Sequence, residues 1–276
     1  MRAPPCPPLI GACRPSRGSL PSVRKTKKHA ARMGRSFNAL WFGQTISLFG
    51  DYTALFTIPA FALELTSVTS DFTNIYAAEN LPTLIFGFVG GVIIDRISRR
   101  RLAMVADLMR AVAFGLLALL VASGRTEIWM LVGFSFVIGS FAAGFNSALM
   151  TLVPSLVRPG NLAVANGRLA LSQQIAFATG PVLGALLVRL TSFPIAFSIN
   201  ALTFVVSALT LLLARPLTRQ PRPGKSGFLD QLSEGFRFIW RTKVLLYTVI
   251  AAAGANFVTA LFESSIVLMG QQIFGL

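Results

Sequence analysis

Five ionisable side chains sit inside stretches that are otherwise almost wholly apolar: Asp51, Glu79, Asp107, Arg110 and, in the last stretch, Glu263. An ionised carboxylate at the centre of a bilayer costs about 2.5–3.5 kcal/mol on insertion scales, so each acid must be protonated, paired or open to water. A carboxylate that exchanges between those states can carry a proton. Asp51 lies near the middle of the first apolar stretch and is open to two roles, proton carrier or structural hydrogen-bonded group, while Gly50 beside it leaves room for another helix. Glu79 stands next to Asn80 and ahead of Pro82, about 10 Å deep at helical rise, where it is a candidate to line a path through the membrane. Asp107 and Arg110 are three residues apart, share a helix face and can pair. That spacing reads first as a structural ion pair near the inner membrane boundary, and second as part of a site for a small molecule.

A second group of charges is concentrated between two apolar stretches. Residues Gly91-Val92-Ile93-Ile94-Asp95-Arg96-Ile97-Ser98-Arg99-Arg100-Arg101 place one acid among four arginines. Gly91, one turn before Asp95, offers a close-packing surface, and Asp95 can accept hydrogen bonds from the N-terminal amides of a neighbouring helix. Arg96, Arg99, Arg100 and Arg101 would hold the connection at the inner membrane surface. A third pattern is Gly180, Pro181 and Gly184: the glycines share a small-residue face, and the proline removes one internal hydrogen bond and bends the helix.

These side chains must be held by helices that cross a bilayer. The chain has 276 residues, is 54% hydrophobic and only 13% charged, and contains 23 Phe; its mean hydropathy is +0.66. A bilayer core needs about 20 apolar residues at ~1.5 Å rise each. Seven stretches meet that requirement, at 37–63, 72–94, 102–122, 128–149, 169–188, 193–214 and 244–269. None shows the alternating pattern of a barrel strand. The fold class is therefore an all-α polytopic membrane protein.

The basic residues give it an orientation. With the N-terminus in the cytoplasm, twenty-two of the 25 Lys and Arg fall on the inner side, two (Arg125 and Arg189) on the outer, and Arg110 within a helix. The expected location is the cell membrane. A net charge of +15 distributed over loops in this way does not make the single basic face of a nucleic-acid binder, so no nucleic-acid partner is expected. No phosphate-binding loop, nucleophile–base pair or zinc spacing occurs, which argues against an enzyme or an ATP-driven pump. Cys6, Cys13 and His29 lie in the N-terminal region without metal-ligand spacing. Neither a metal nor a cofactor is expected, and the partners are the lipid bilayer and a small-molecule substrate.

The organisation follows from composition. Residues 1–36 form a basic, Pro/Ser-rich extension that reads as disordered, with Met33 as an alternative start. Residues 37–214 hold six transmembrane helices, and 215–243 a cytoplasmic linker. Its end, with Phe228, Leu229, Leu232, Phe236, Ile239 and Trp240 at helical spacing, reads as a short amphipathic helix or as the first turns of the next span. Residues 244–276 hold the seventh helix. The aromatic residues, with Trp41, Trp129 and Trp240 near helix ends, read chiefly as lipid-facing bulk and interfacial anchors.

The stretch from Gly91 to Arg101 resembles the signature loop of the major facilitator superfamily, Gly-x-x-x-Asp-Arg-x-Gly-Arg-Arg, with Ser98 where the family usually has Gly. Ala176 to Ala185 is similar to the helix-5 motif of the superfamily's exporters, with both outer glycines replaced by Ala. With residues 43–56, 166–176 and 234–240, the chain looks most like the branch of macrolide and siderophore exporters. Helix 4 lacks the Arg that begins the family's proton-coupling pattern. The resemblance implies twelve helices in two rocking halves, with Asp95 holding a cytoplasmic gate closed, and hence a C-terminal half beyond Leu276. It implies efflux of a small amphipathic compound, with proton coupling through Asp51 or Glu79. A non-transporting fragment or partner-binding subunit, and a nutrient importer of the same fold, are the alternatives.

Overall fold

A computed structural model describes residues 33–66, 71, 74–83, 98–214, 237–255 and 258. Among them the regular structure is helical. The helices are α1 (Arg35–Thr66), α2 (74–83), α3 (Arg99–Ala122), α4 (Ile128–Leu156), α5 (Leu162–Leu190), α6 (Phe193–Leu213) and α7 (Lys243–Ala255), with a further short helical segment at 237–241. A 3-10 turn, Pro159–Asn161, joins α4 to α5. The helices α1, α3, α4, α5 and α6 are long and apolar enough to cross a membrane, which establishes the all-α polytopic class.

The helix ends show why the chain turns where it does. α3 stops at Ser123 and Gly124, the glycine taking a φ of 66° that releases the chain from the helix. Pro194 lies in the first turn of α6, where its missing amide is not needed. Two spans run seven residues beyond a hydropathy limit: α4 continues to Leu156 and α5 already begins at Leu162. In α4 the polar residues Ser147 and Thr151 return their hydroxyls to backbone carbonyls one turn back, so they do not interrupt the helix. Arg168, expected in a connection, is consequently on α5.

The most extensive packing joins α3 to α6, α1 to α6, α1 to α5 and α3 to α4. The interior divides into two apolar clusters. One contains Ile58, Phe61, Phe114, Leu117, Leu131, Phe197 and Phe204; Phe114 stacks on Phe204 with ring centroids 5.6 Å apart and planes 17° from parallel. The other contains Phe37, Leu40, Ala103, Phe145, Leu152 and Leu211. Between the two levels, α1 contributes Gln44, Ser47 and Asp51, α3 contributes Asp107 and Arg110, and α6 contributes Asn200 and Ser207. A polar belt thus crosses the bundle between two dry layers.

Close backbone approach at the belt depends on small residues, since helices in lipid associate by packing rather than by hydrophobic exclusion. A Cβ on Gly50 would overlap the side chains of Asn200 and Thr203 on α6. Gly180 and Gly184 of α5 seat against Tyr52 and Thr53 of α1 in the same way. Pro181 lies between them, and α5 continues through it without interruption.

Candidate functional site

The belt is organised by Arg110. Its Nη2 donates to both carboxylate oxygens of Asp51, at 2.6 and 2.7 Å. Its Nη1 lies 3.8 Å from Asp107 Oδ1. The guanidinium carbon sits 4.0 Å from the ring centroid of Phe204 and 5.7 Å from that of Phe145. A desolvated cation over an aromatic face gains about 2 kcal/mol. One cation therefore serves two carboxylates and is walled by two rings.

The Asp107–Arg110 pair expected from spacing is present, and a shorter pair that spacing did not show is added to it. Asp107 and Arg110 do share a face, but the short charge-assisted bonds of Arg110 run to α1, across 59 residues of sequence. Packing decides: the α1–α3–α6 arrangement brings the Asp51 carboxylate into reach, whereas an i,i+3 pair on one helix leaves the groups side by side. The two acids also differ in access. Asp107 is fully buried, while the side chain of Asp51 keeps 32% of its surface exposed.

Asp51 has that exposure because it opens onto a cavity of about 280 Å³ between α1, α2, α4 and α5. Glu79 and Asn80 of α2, Gln44 and Tyr52 of α1, Asn146 of α4 and Gln173 of α5 share its wall. Gln173 Nε2 donates to the Tyr52 hydroxyl at 3.3 Å, and the Tyr52 ring meets Phe177 edge-on at 5.5 Å. α5 thus fixes the position of Tyr52. Glu79 is carried into the cavity by a close crossing in which Gly139 of α4 lies against its backbone. The structure brings Asp51, Glu79 and Arg110 to one cavity and leaves Asp107 behind it.

Of the charged loop, Gly91, Asp95 and Arg96 lie outside the described residues. Arg99 and Arg100 begin α3. Arg100 does more than hold a loop at the membrane surface: its Nε donates to Leu211 O at 2.7 Å, and its Nη2 donates to Leu212 O. It thereby caps the Leu212 carbonyl and joins the Ala214 N–H at that of Leu211, at the end of α6. Trp41 also departs from expectation. Its indole Nε1 donates 3.0 Å to Ser172 Oγ on α5, the Thr45 hydroxyl lies 3.1 Å from the same oxygen, and Arg168 stands over the ring. Trp41 is thus an interhelical pin between α1 and α5.

Residues missed by the sequence reading are Gln44, Ser47, Asn200 and Ser207, all buried. For α1 the signal existed: Gln44, Ser47 and Asp51 recur at spacings of three and four, a polar stripe on an apolar helix. Asn200 and Ser207 repeat it on α6 at seven residues.

A bundle of helices of spanning length whose midsection holds a paired charge and a cavity lined by carboxyl groups belongs to the class of multi-pass membrane proteins. Within that class its family is established: a sequence model of the Major Facilitator Superfamily matches residues 40–276, and the chain belongs to that superfamily. It is 24% identical over 224 residues to macrolide efflux protein A of Streptococcus pyogenes, covering 80% of this chain and 55% of the relative. To the multidrug efflux pump Tap of Mycobacterium tuberculosis it is 27% identical over 215 residues, covering 74% and 51%. An MFS-type transporter of Bacillus subtilis, YfiS, is 25% identical over 259 residues, covering 90% and 60%. The chain spans about half the length of the curated relatives it matches. The resemblance to exporters of this superfamily is thereby borne out.

Proposed function

We propose that this chain supplies the cavity-bearing half of a secondary active exporter of small amphipathic compounds, coupled to a proton gradient through Asp51. The observation that carries the reading is the asymmetric pair: Arg110 is 2% exposed, whereas Asp51, its partner, reaches the cavity. A proton or a substrate arriving from the cavity meets Asp51 first and releases Arg110, so occupancy is converted into a change in how α1 holds α3. The efflux names of the relatives support the outward direction. A second six-helix bundle, continuing the chain or supplied by another polypeptide, would complete the cavity and rock against this one.

The test is gradient-driven accumulation of a fluorescent amphipathic compound in inverted vesicles containing the intact protein. D51N should abolish accumulation and leave membrane insertion intact. Normal accumulation by D51N would remove Asp51 from the coupling step.

We further propose that the N-terminus faces the cytoplasm of the cell and that residues 95–101 lie at the inner surface, with Asp95 fastening the inner gate. The charge asymmetry of the connections supports this orientation. In a variant freed of Cys6 and Cys13, R125C should react with a membrane-impermeant maleimide added outside whole cells, and R158C should not. The reverse pattern would invert the topology.

A further inference from the structure

A second cavity, of about 540 Å³, lies between α3 and α4 and shares no lining residue with the cavity at Asp51. It is a groove on the bundle surface, walled by Val112, Leu116 and Leu120 of α3 and by Trp129, Gly133 and Val137 of α4. Val112, Leu116 and Trp129 are each half exposed or more. Gly133 gives the groove its depth, since a Cβ there would meet nothing within 4 Å. Both walls belong to helices of spanning length, so the groove lies in the hydrocarbon layer. Along α3 it runs from Met109, the residue before Arg110, to Leu120, about 16 Å at helical rise. One leaflet's share of a bilayer core is nearly the same, about 15 Å. The groove ends at the α3–α4 connection, where Arg125 is exposed and, among the described residues, makes no ion pair. At that end Trp129 Nε1 donates to Glu127 Oε2, which holds the indole where amphipathic rings meet headgroups.

We infer that the α3–α4 groove is a binding site for one glycerophospholipid, with an acyl chain lying along the groove and the phosphate at Arg125. The groove is apolar for the depth of one leaflet and meets a free cation only at its boundary end, which is the order of parts in a lipid. A transmembrane helix of a partner does not fit this shape: it is about 10–12 Å across and crosses both leaflets, whereas the groove stops halfway. Burial from water does not hold the chain, because the surrounding lipid is equally apolar. Contact with two fixed walls holds it, together with the charge-assisted hydrogen bonds of a guanidinium to a phosphate. The site stands apart from the exporter reading, since no residue of the Asp51 cavity takes part.

The experiment is native mass spectrometry of the intact chain released from nanodiscs made of equal parts phosphatidylethanolamine and phosphatidylglycerol. At a collision energy that strips the surrounding lipid, the wild-type protein should keep one phospholipid per chain. G133L fills the groove and should lose that adduct, while G167L, which places the same side chain on an equally open glycine of α5, should keep it. R125A should lower the retained fraction without removing it. Absence of a retained phospholipid on the wild-type protein, or retention by G133L equal to wild type, would overturn the inference. So would a dimer of the chain that G133L dissolves, which would make the groove an interface between copies. Unchanged retention by R125A would overturn the assignment of the phosphate. If G133L lacks the wild-type melting transition, V112W, which narrows the groove from the α3 wall, decides by the same measure: loss of the adduct upholds the site and its retention sinks it.

Discussion

Two levels of the same bundle are built by opposite means. Around Phe61, Phe114, Phe197 and Phe204 the helices meet through rings that fill space and ask for no partner. One helical turn or two along the same rods, at Gln44, Asp51, Asp107, Arg110 and Asn200, contact is made through groups that must be matched in charge and hydrogen bonding. The first level can lose a methylene and repack. The second cannot lose a charge without stranding another. Inside a bilayer a polar belt contributes little stability that apolar residues could not supply, so its presence points to use rather than to architecture.

The contrast can be broken most severely at Arg110. R110L strands Asp51 and Asp107 together and should destabilise the protein by about 3–5 kcal/mol. In a thermal unfolding assay in detergent, it should give either no cooperative transition or one strongly shifted downward. F114A attacks the dry layer instead. It should cost about 3 kcal/mol through the void it leaves beside Phe197 and Phe204. Its transport at low temperature should nevertheless persist in the vesicle assay, because no charge is moved. An F114A protein that folds well but cannot transport would blur the division between the two levels. The smallest effect is expected at the α1–α5 pin. W41F removes the indole donor to Ser172, a loss of about 1 kcal/mol. The shift should be small because Thr45 remains beside the same oxygen.

The two levels were also unequally legible in the sequence. Long apolar runs announce their helices because lipid demands internal hydrogen bonding over a fixed length, and five of those runs appear as helices of spanning length. Their ends were less legible: Ser147 and Thr151 lower the local hydropathy although their hydroxyls fold back on the helix. Asp51 and Arg110 could each be singled out as membrane-embedded charges. Their union could not, because it depends on how α1 packs on α3. Spacing on one helix favoured Asp107, a neighbour by geometry that has the longer contact. Gln44 and Asn200 were passed over because an uncharged amide scarcely alters a hydropathy average, although buried it demands as many partners as a charged group. The role of Arg100 was similarly out of reach, since the carbonyls it meets are more than a hundred residues away.

That last contact has a mechanical consequence. Arg100 stands at the first turn of α3, and the carbonyls it grips are the final ones of α6, where the chain departs toward residue 215. The foot of one rod is thereby hooked to the exit of another. A displacement of α3 along its own axis would drag the α6 exit with it, so a shift at either helix end would be felt at the arginine hook before it reached the cavity.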